Sequence, residues 1–280
     1  MARHEFDKSS KWLIQKHGNG ILYLGGVRNV RSWRPLQAEL VQPRRLPDGL
    51  LEVYFHGRQS PDFFLLEVAT YPEKRVLNQA LNDLTLAYHQ LQVLPELLTV
   101  ILNPKGGFKV WGKHELVSRL QWSRFTCRWK VVELWKLAAD DLLATGNVGL
   151  VPWVPLTHFS GPPEPILEQC RLRIDQQALP QERDNLLVVS QILAHLRYND
   201  SRLLAILGGK RVMIESPLIQ EIVAESKQDD ILAFLRARFD DLSEDIVERI
   251  RAIHSEKKLL ALIKHAARCS HLDAFRKKLT

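Results

Sequence analysis

Cysteine is scarce. Cys127, Cys170 and Cys269 lie far apart and are odd in number, which excludes a CxxC pair, a zinc-ligand spacing and a disulfide framework; the expected compartment is a reducing cytoplasm. Long apolar runs are missing too. No segment reaches the roughly 18–20 uninterrupted apolar residues of a membrane span, and the charged start has no apolar stretch of the kind a secretory signal needs. The ten histidines include no HExxH motif. Gly25-Gly26 and Gly208-Gly209-Lys210 are too short for a P-loop and read as turns or helix caps.

Basic charge is present in excess. Against 32 Asp and Glu stand 39 Lys and Arg, a net charge of +7 over 280 residues, which favours encounter with a polyanion without requiring one. Arg28, Arg31, Arg34, Arg44 and Arg45 cluster around Trp33, and Arg119, Arg124, Arg128 and Lys130 surround Trp122 and Trp129. Phosphate contact with base stacking explains such mixing, and so do solvated edge strands with buried tryptophans.

The most informative stretch is an apolar hairpin. Pro47-Asp48-Gly49 opens Leu50-Leu51-Glu52-Val53-Tyr54-Phe55, and the returning strand, Phe63-Phe64-Leu65-Leu66-Glu67-Val68-Ala69, carries a carboxylate inside a hydrophobic run. An ionised carboxylate there costs several kcal/mol unless a cation or dense hydrogen bonding compensates. If His56 pairs with Pro61 across Gly57-Arg58-Gln59-Ser60, Asp48 stands opposite Ala69 and Leu50 opposite Glu67. Asp48, Glu52, Glu67 and Ala69 then share one face, with diagonal neighbours roughly 7–8 Å apart. That spacing brings two carboxylate tips close enough to hold one divalent ion. A local reading stands beside the functional one. Asp48 lies in x-Pro-Asp-Gly-x, a strong turn signal; Glu67 has Arg34, Arg44 and Arg45 as candidate partners; Glu52 fits a salt-bridged strand; Asp7 fits a helix N-cap; Lys74 and Arg75 fit a solvated turn.

The neighbouring elements follow from pattern. Phe6 to His17 reads as a helix stopped at Gly18-Asn19-Gly20, and Val27 to Leu40 contains an extended segment interrupted at Pro35. After Tyr71-Pro72-Glu73, Leu77, Leu81, Leu84, Tyr88 and Leu91 recur at helical spacing up to Pro95. Leu97 to Leu102 reads as a buried strand. Trp129 to Trp135 reads as another strand, Ala138 to Ala144 as a short helix and Val148 to Leu156 as an extended crossing segment.

This order of helix, three strands, helix and strand, with Pro47-Asp48 and Glu67-Val68-Ala69 on neighbouring strands, resembles the PD-(D/E)xK nuclease superfamily. The narrower likeness is to the recombination-promoting nuclease family, the YhgA-like transposases. The opening His4-Glu5-Phe6-Asp7-Lys8-Ser9-Ser10-Lys11-Trp12-Leu13 is similar to its N-terminal signature, and Leu65 to Pro72 is similar to its Glu-x-Gln strand and turn. The resemblance covers about the first two thirds of the chain. It implies an α+β (α/β) fold, a central mixed sheet flanked by helices, and a cytoplasmic, metal-dependent DNA endonuclease with Mg²⁺ or Mn²⁺ as cofactor. Asp48 and Glu67 are then the metal ligands, Glu52 is a further candidate ligand, and Asp7 is the acid of the first helix. The family pattern has lysine or glutamine two residues after Glu67, where this chain has Ala69. Thr70, Lys74, Arg75 or Gln79 is the expected substitute, and the catalytic set is therefore Asp48, Glu67, Gln79 and Lys74. Arg34, Arg44, Arg45, Lys74 and Arg75 are the expected DNA contacts. The alternative is a regulatory or nucleic-acid-binding descendant that has lost activity with the residue at 69.

The domain expectation is a nuclease-like core over residues 1–160, a helical extension packed on it over 161–224 and a small all-α bundle over 225–280. Ser160-Gly161-Pro162-Pro163-Glu164-Pro165 is the clearest break. After it Leu186 to Leu196 and the segment from Ser216-Pro217 read as helices. Three amphipathic groups follow, with Ser243 and Ser255 at expected N-caps. They form a bundle that suggests partner binding or homo-oligomerisation rather than catalysis.

Overall fold

Helix α1 (Ala2–Leu24) is followed by β1 (Val30–Leu36), β2 (Gly49–Phe55), β3 (Asp62–Ala69), α2 (Lys74–Leu91) and β4 (Glu96–Ile101). The computed structural model describes residues 2–36, 47–119, 121 and 123–279. They form an α+β protein with a mixed five-stranded sheet flanked by helices and a helical C-terminal part. The sheet order is β1-β2-β3-β4-β7, where β7 is Lys130–Glu133. β1, β2 and β3 are antiparallel, whereas β3, β4 and β7 run parallel. β5 (Lys113–Val117) and β6 (Arg124–Arg128) make a separate two-stranded hairpin.

Leu50 to Val53 and Phe64 to Glu67 are each buried without interruption. Strands covered on both faces need apolar side chains in unbroken runs rather than in alternation. One cover is α2, whose Ala80, Leu84 and Ala87 pack on Leu50, Leu65 and Leu97. The other is α1, with Leu13, Ile14, Ile21 and Leu22 buried. Pro35, which has no N–H to donate, lies on the edge strand β1, where a missing donor is tolerated.

Two expectations are corrected. The first helix does not stop at Gly18-Asn19-Gly20; it kinks at His17 (φ −134°, ψ 33°) and resumes to Leu24. Gly18 is needed for packing rather than termination, since a Cβ there would lie 2.7 Å from Leu51 Cδ1 and 2.9 Å from Trp33 Cζ3. The second correction concerns Val148–Leu156, a 3-10 helix and not an extended segment. Leu150 N–H donates to Asn147 C=O and Thr157 N–H to Val154 C=O, both at 3.0 Å. Pro152 and Pro155 fit because they sit where no donor is used, and Asn147 caps the start by accepting from Gly149 N–H. Trp153 at its centre is fully buried.

The chain divides into compact units at residues 1–209 and 210–280. In the first unit α3 (Ala139–Ala144), α4 (Pro163–Gln177) and α5 (Pro180–His195) pack around the 148–156 helix, followed by α6 (Ser201–Ile206). In the second, α7 (Gly209–Glu215) begins at the division, and α8 (Pro217–Phe239), α9 (Glu244–Arg251), α10 (Glu256–Arg268) and α11 (Leu272–Arg276) enclose Ile231, Leu235, Ile250, Leu259 and Phe275. The expected boundary at 224/225 falls inside α8. Ser216 caps α8, whereas Ser243 and Ser255 occupy N-cap positions without a side-chain cap bond. Among the described residues no helix is long and apolar enough to cross a membrane.

The Gly18 contacts give a test. Gly18→Ala should destabilise by about 1–3 kcal/mol despite alanine's better helix propensity, because overpacking exceeds it. Gly107→Ala, with nothing within 4 Å of the added Cβ, should be near neutral. Urea denaturation checks both, and an unchanged midpoint for Gly18→Ala would refute the packing role.

Candidate functional site

The hairpin register decides what Asp48 meets. Gly49 pairs with Leu66, Leu50 with Leu65 and Val53 with Asp62, so the pairing is shifted by two residues from the expectation of Asp48 opposite Ala69. The turn itself differs: the ladder stops at Val53–Asp62, Arg58 N–H donates to Phe55 C=O, Arg58 pairs with Asp62, and Gly57 has φ +82°. Because the shift is even, faces are conserved. Asp48 lies one residue before β2, outside the ladder, where continuing the Gly49–Leu66 register brings it to Glu67 rather than to Ala69.

Asp48 extends the ladder with its side chain. Val68 N–H donates to Asp48 Oδ2 at 2.7 Å, and Lys11 Nζ lies 3.9 Å from Oδ1 and 3.1 Å from Asp7 Oδ2. The first turns of α1 therefore place one acid and one cation beside Asp48. Glu67 is 5% exposed. Gln79 from α2 donates Nε2–H to Glu67 Oε2 at 2.9 Å. Asp83, one turn further along α2 and also buried, hydrogen-bonds Glu67 when one of the two is protonated. With both ionised, Oε1 of Glu67 is buried and has no hydrogen bond.

The electrostatics follow from this geometry. Burial pushes the Asp48 carboxyl up to about 7; Asp7 adds to the rise, while Val68 N–H and Lys11 oppose it. Burial, then the Asp48 and Asp83 carboxylates, hold Glu67 well above the ordinary carboxylate range. Lys11 loses charge stabilisation by burial, but Asp7 and Asp48 outweigh that loss and raise its pKa overall. It is thus a fixed cation and not a proton acceptor.

Phe6, Asp7, Ser10, Asp48, Thr70, Arg75 and Gln79 are among the residues that line a cleft of about 110 Å³. Among the described residues no three His, Cys, Asp or Glu side chains are placed together to hold a metal. The pair still suits a hard cation such as Mg²⁺, which is commonly held by one or two carboxylates plus substrate phosphates. Three buried oxygens without hydrogen bonds mark the same region: Glu67 Oε1, Ser10 Oγ, and Thr99 Oγ1, which is register partner to Glu67 on β4. Such orphaned acceptors commonly mark a water or ion position.

The other expected residues are distributed as follows. Glu52 is an ion-pair partner of Arg34 across β1–β2 and also accepts from Tyr54 Oη at 3.2 Å; it is not a further ligand, and Arg34 neutralises it instead of facing solvent unpaired. Arg75 pairs with Glu73, and Lys74 is exposed at the start of α2, outside the cleft lining. Arg44 and Arg45 lie outside the described residues, as does Trp122. Arg28 stacks 3.5 Å over Tyr23. Ala69 packs against Val76, Ile101 and Val110. Gln79 is thus the only one of the four expected substitutes that hydrogen-bonds Glu67 among the described residues. Sequence reasoning passed over Lys11 and Asp83. The signals were there: Lys11 follows Asp7 by four residues, and Asp83 occupies the buried stripe of α2 beside Leu84.

Comparison with protein-family models, curated proteins and solved structures finds no match.

A carboxyl whose folded pKa is raised contributes stability below its unfolded pKa of 3.8 and loses it as pH rises towards about 7. At pH 8 Asp48 is therefore a net burden in the metal-free protein. Asp48→Asn should raise the unfolding free energy by roughly 1–3 kcal/mol at pH 8 and by close to nothing at pH 4, given about 1.4 kcal/mol per pKa unit and the kept Val68 bond. Denaturation at the two pH values measures it. Equal destabilisation at both would contradict the buried-charge account.

Proposed function

We propose that the protein is a metal-dependent DNA endonuclease of the recombination-promoting, transposase-like type, with a PD-(D/E)xK-like core. The observation that carries this reading is that Asp48 and Glu67 adjoin at the end of the β2–β3 pair, with Glu67 Oε1 buried and lacking a hydrogen bond and, among the described residues, Lys11 as the cation within 4 Å of Asp48. A purely structural carboxylate pair has its lone pairs satisfied. The excess of basic residues supports a polyanionic substrate.

Asp48 and Glu67 would hold Mg²⁺ or Mn²⁺. When bound, such an ion lowers the pKa of water and offsets charge on a leaving phosphate oxygen. Gln79 fixes one Glu67 oxygen and would leave the other for the cation; as the expected substitute for the residue at 69, its amide would also orient the attacking water. Lys11, held protonated between Asp7 and Asp48, presents positive charge where a phosphodiester accumulates negative charge. Arg75 of the cleft lining and exposed Lys74 position the DNA backbone.

A second reading has its own observation. Ala69 is part of an apolar cluster, so no side chain there reaches the cleft, as expected of a binding or regulatory protein that has lost catalysis.

Plasmid nicking with Mg²⁺ or Mn²⁺ separates them. The proposal expects cleavage by the wild type and a drop of about a hundredfold or more in Asp48→Ala and Glu67→Ala, the factor for roughly 3 kcal/mol of lost charge stabilisation. Lys11→Met should cost about tenfold. Cleavage that survives both alanine substitutions removes the site. DNA binding without cleavage under either metal establishes the second reading.

A further inference from the structure

A second cleft adjoins the carboxylate site. It has a volume of about 290 Å³, and its lining includes Leu102, Asn103, Lys105, Trp135, His158 and Arg197. Leu102 lines both clefts. Leu102 N–H donates to Ala69 C=O at 2.9 Å and Asn103 N–H to Thr70 C=O at 3.0 Å, so the chain leaving β4 stays zipped to the chain leaving β3. Trp135 follows β7 directly. Both clefts thus open at the carboxyl ends of the parallel strands β3, β4 and β7, where open sheets of this kind bind ligands.

The chemistry of the two clefts differs. The lining of the first includes the acids Asp7 and Asp48 together with Arg75, whereas the described lining of the second has no acid and carries Lys105, Arg197 and His158. Arg197 is exposed, but its guanidinium is anchored. Its Nη1 donates to Pro155 C=O at 3.1 Å and Thr157 C=O at 2.6 Å, and its guanidinium lies 4.7 Å from the Phe159 ring centre. Asn103, 5% exposed, braces the opposite wall by donating to Leu196 C=O and accepting from Lys105 N–H. Trp135 is half-buried, packed against the Val76–Ile101–Val110 cluster and part of the cleft wall. The cleft therefore has a cationic rim of exposed Lys105, His158 and anchored Arg197, and one aromatic wall.

We infer that this pocket is a nucleotide subsite that seats one residue of a single-stranded or splayed nucleic acid strand, phosphate towards Lys105 and Arg197, base against Trp135. Cations beside an aromatic wall form the combination that grips a single strand without reading its sequence. The placement next to the acidic cleft rests on the nuclease reading: the seated nucleotide is then a neighbour of the phosphodiester at Asp48 and Glu67.

The test is anisotropy titration of a fluorescein-labelled 12-residue single-stranded deoxyoligonucleotide in EDTA, which removes catalysis from the measurement. Lys105→Ala should weaken binding about fivefold and lower the slope of log affinity against log salt by about 0.7, one phosphate contact. Trp135→Leu should weaken it about tenfold and leave the slope unchanged, because stacking releases no counterion. Lys16→Ala, on the exposed side of α1, should change neither quantity; circular dichroism confirms folding, and Trp135→Phe, which keeps a ring, should retain most affinity. No binding by the wild type, or unchanged affinity and slope in Lys105→Ala and Trp135→Leu, overturns the subsite. If these variants behave as expected but no plasmid is nicked, the subsite stands and the nuclease reading falls.

Discussion

Two carboxylates buried face to face are the constraint around which the first unit is organised. Asp48 and Glu67 adjoin at the end of the β2–β3 pair, and among the described residues neither has an arginine partner. Val68 N–H, Gln79 and a lysine at 3.9 Å supply partial compensation. A second acid presses on each: Asp7 on Asp48, Asp83 on Glu67. Four acids with one lysine beside them among the described residues are poorly arranged for stability, and it is this cost that the proposed cation would offset.

The rest of the fold maintains that arrangement. Gly18 lets the part of α1 beyond the kink lie against Leu51 and Trp33, and the first turns of the helix bring Asp7 and Lys11 to Asp48. α2 is fixed by Ala80, Leu84 and Ala87 on the sheet, so that Gln79 and Asp83 meet Glu67. The parallel strand β4 covers the other side and aligns Thr99 with Glu67. Continuing past β4, the backbone bonds of Leu102 and Asn103 join the acidic cleft to the cationic one.

Much of this was legible in local patterns, and what was not depends on distant contacts. The apolar runs of β2, β3 and β4, the helical spacing of α2 and the shared face of Asp48 and Glu67 follow from periodicity. Parity survived although the register moved by two, because an even shift preserves faces; the register itself was set by Arg58, Asp62 and Gly57 in the turn, whose geometry composition does not specify. Gly18 reads as a helix stop when only its propensity is weighed, yet it is kept by the side chains of Leu51 and Trp33. Pro152 and Pro155 suggest extended chain, and only the i to i+3 bonds around them reveal a 3-10 helix. Lys11 lies near Asp48 only after α1 has packed, which no spacing between residues 11 and 48 discloses. Glu52 is a candidate ligand by resemblance, and the cross-strand Arg34 assigns it elsewhere.

The central claim is that Asp48 and Glu67 are buried together to hold a divalent cation. Calorimetric titration of the metal-free protein with Mn²⁺ at pH 8 addresses it without reference to any substrate. The account predicts one saturable site in the wild type, lost in Glu67→Gln, which keeps the size of the side chain and removes its charge. Mn²⁺ binding of equal affinity in the wild type and in Glu67→Gln, or none in the wild type, would contradict it.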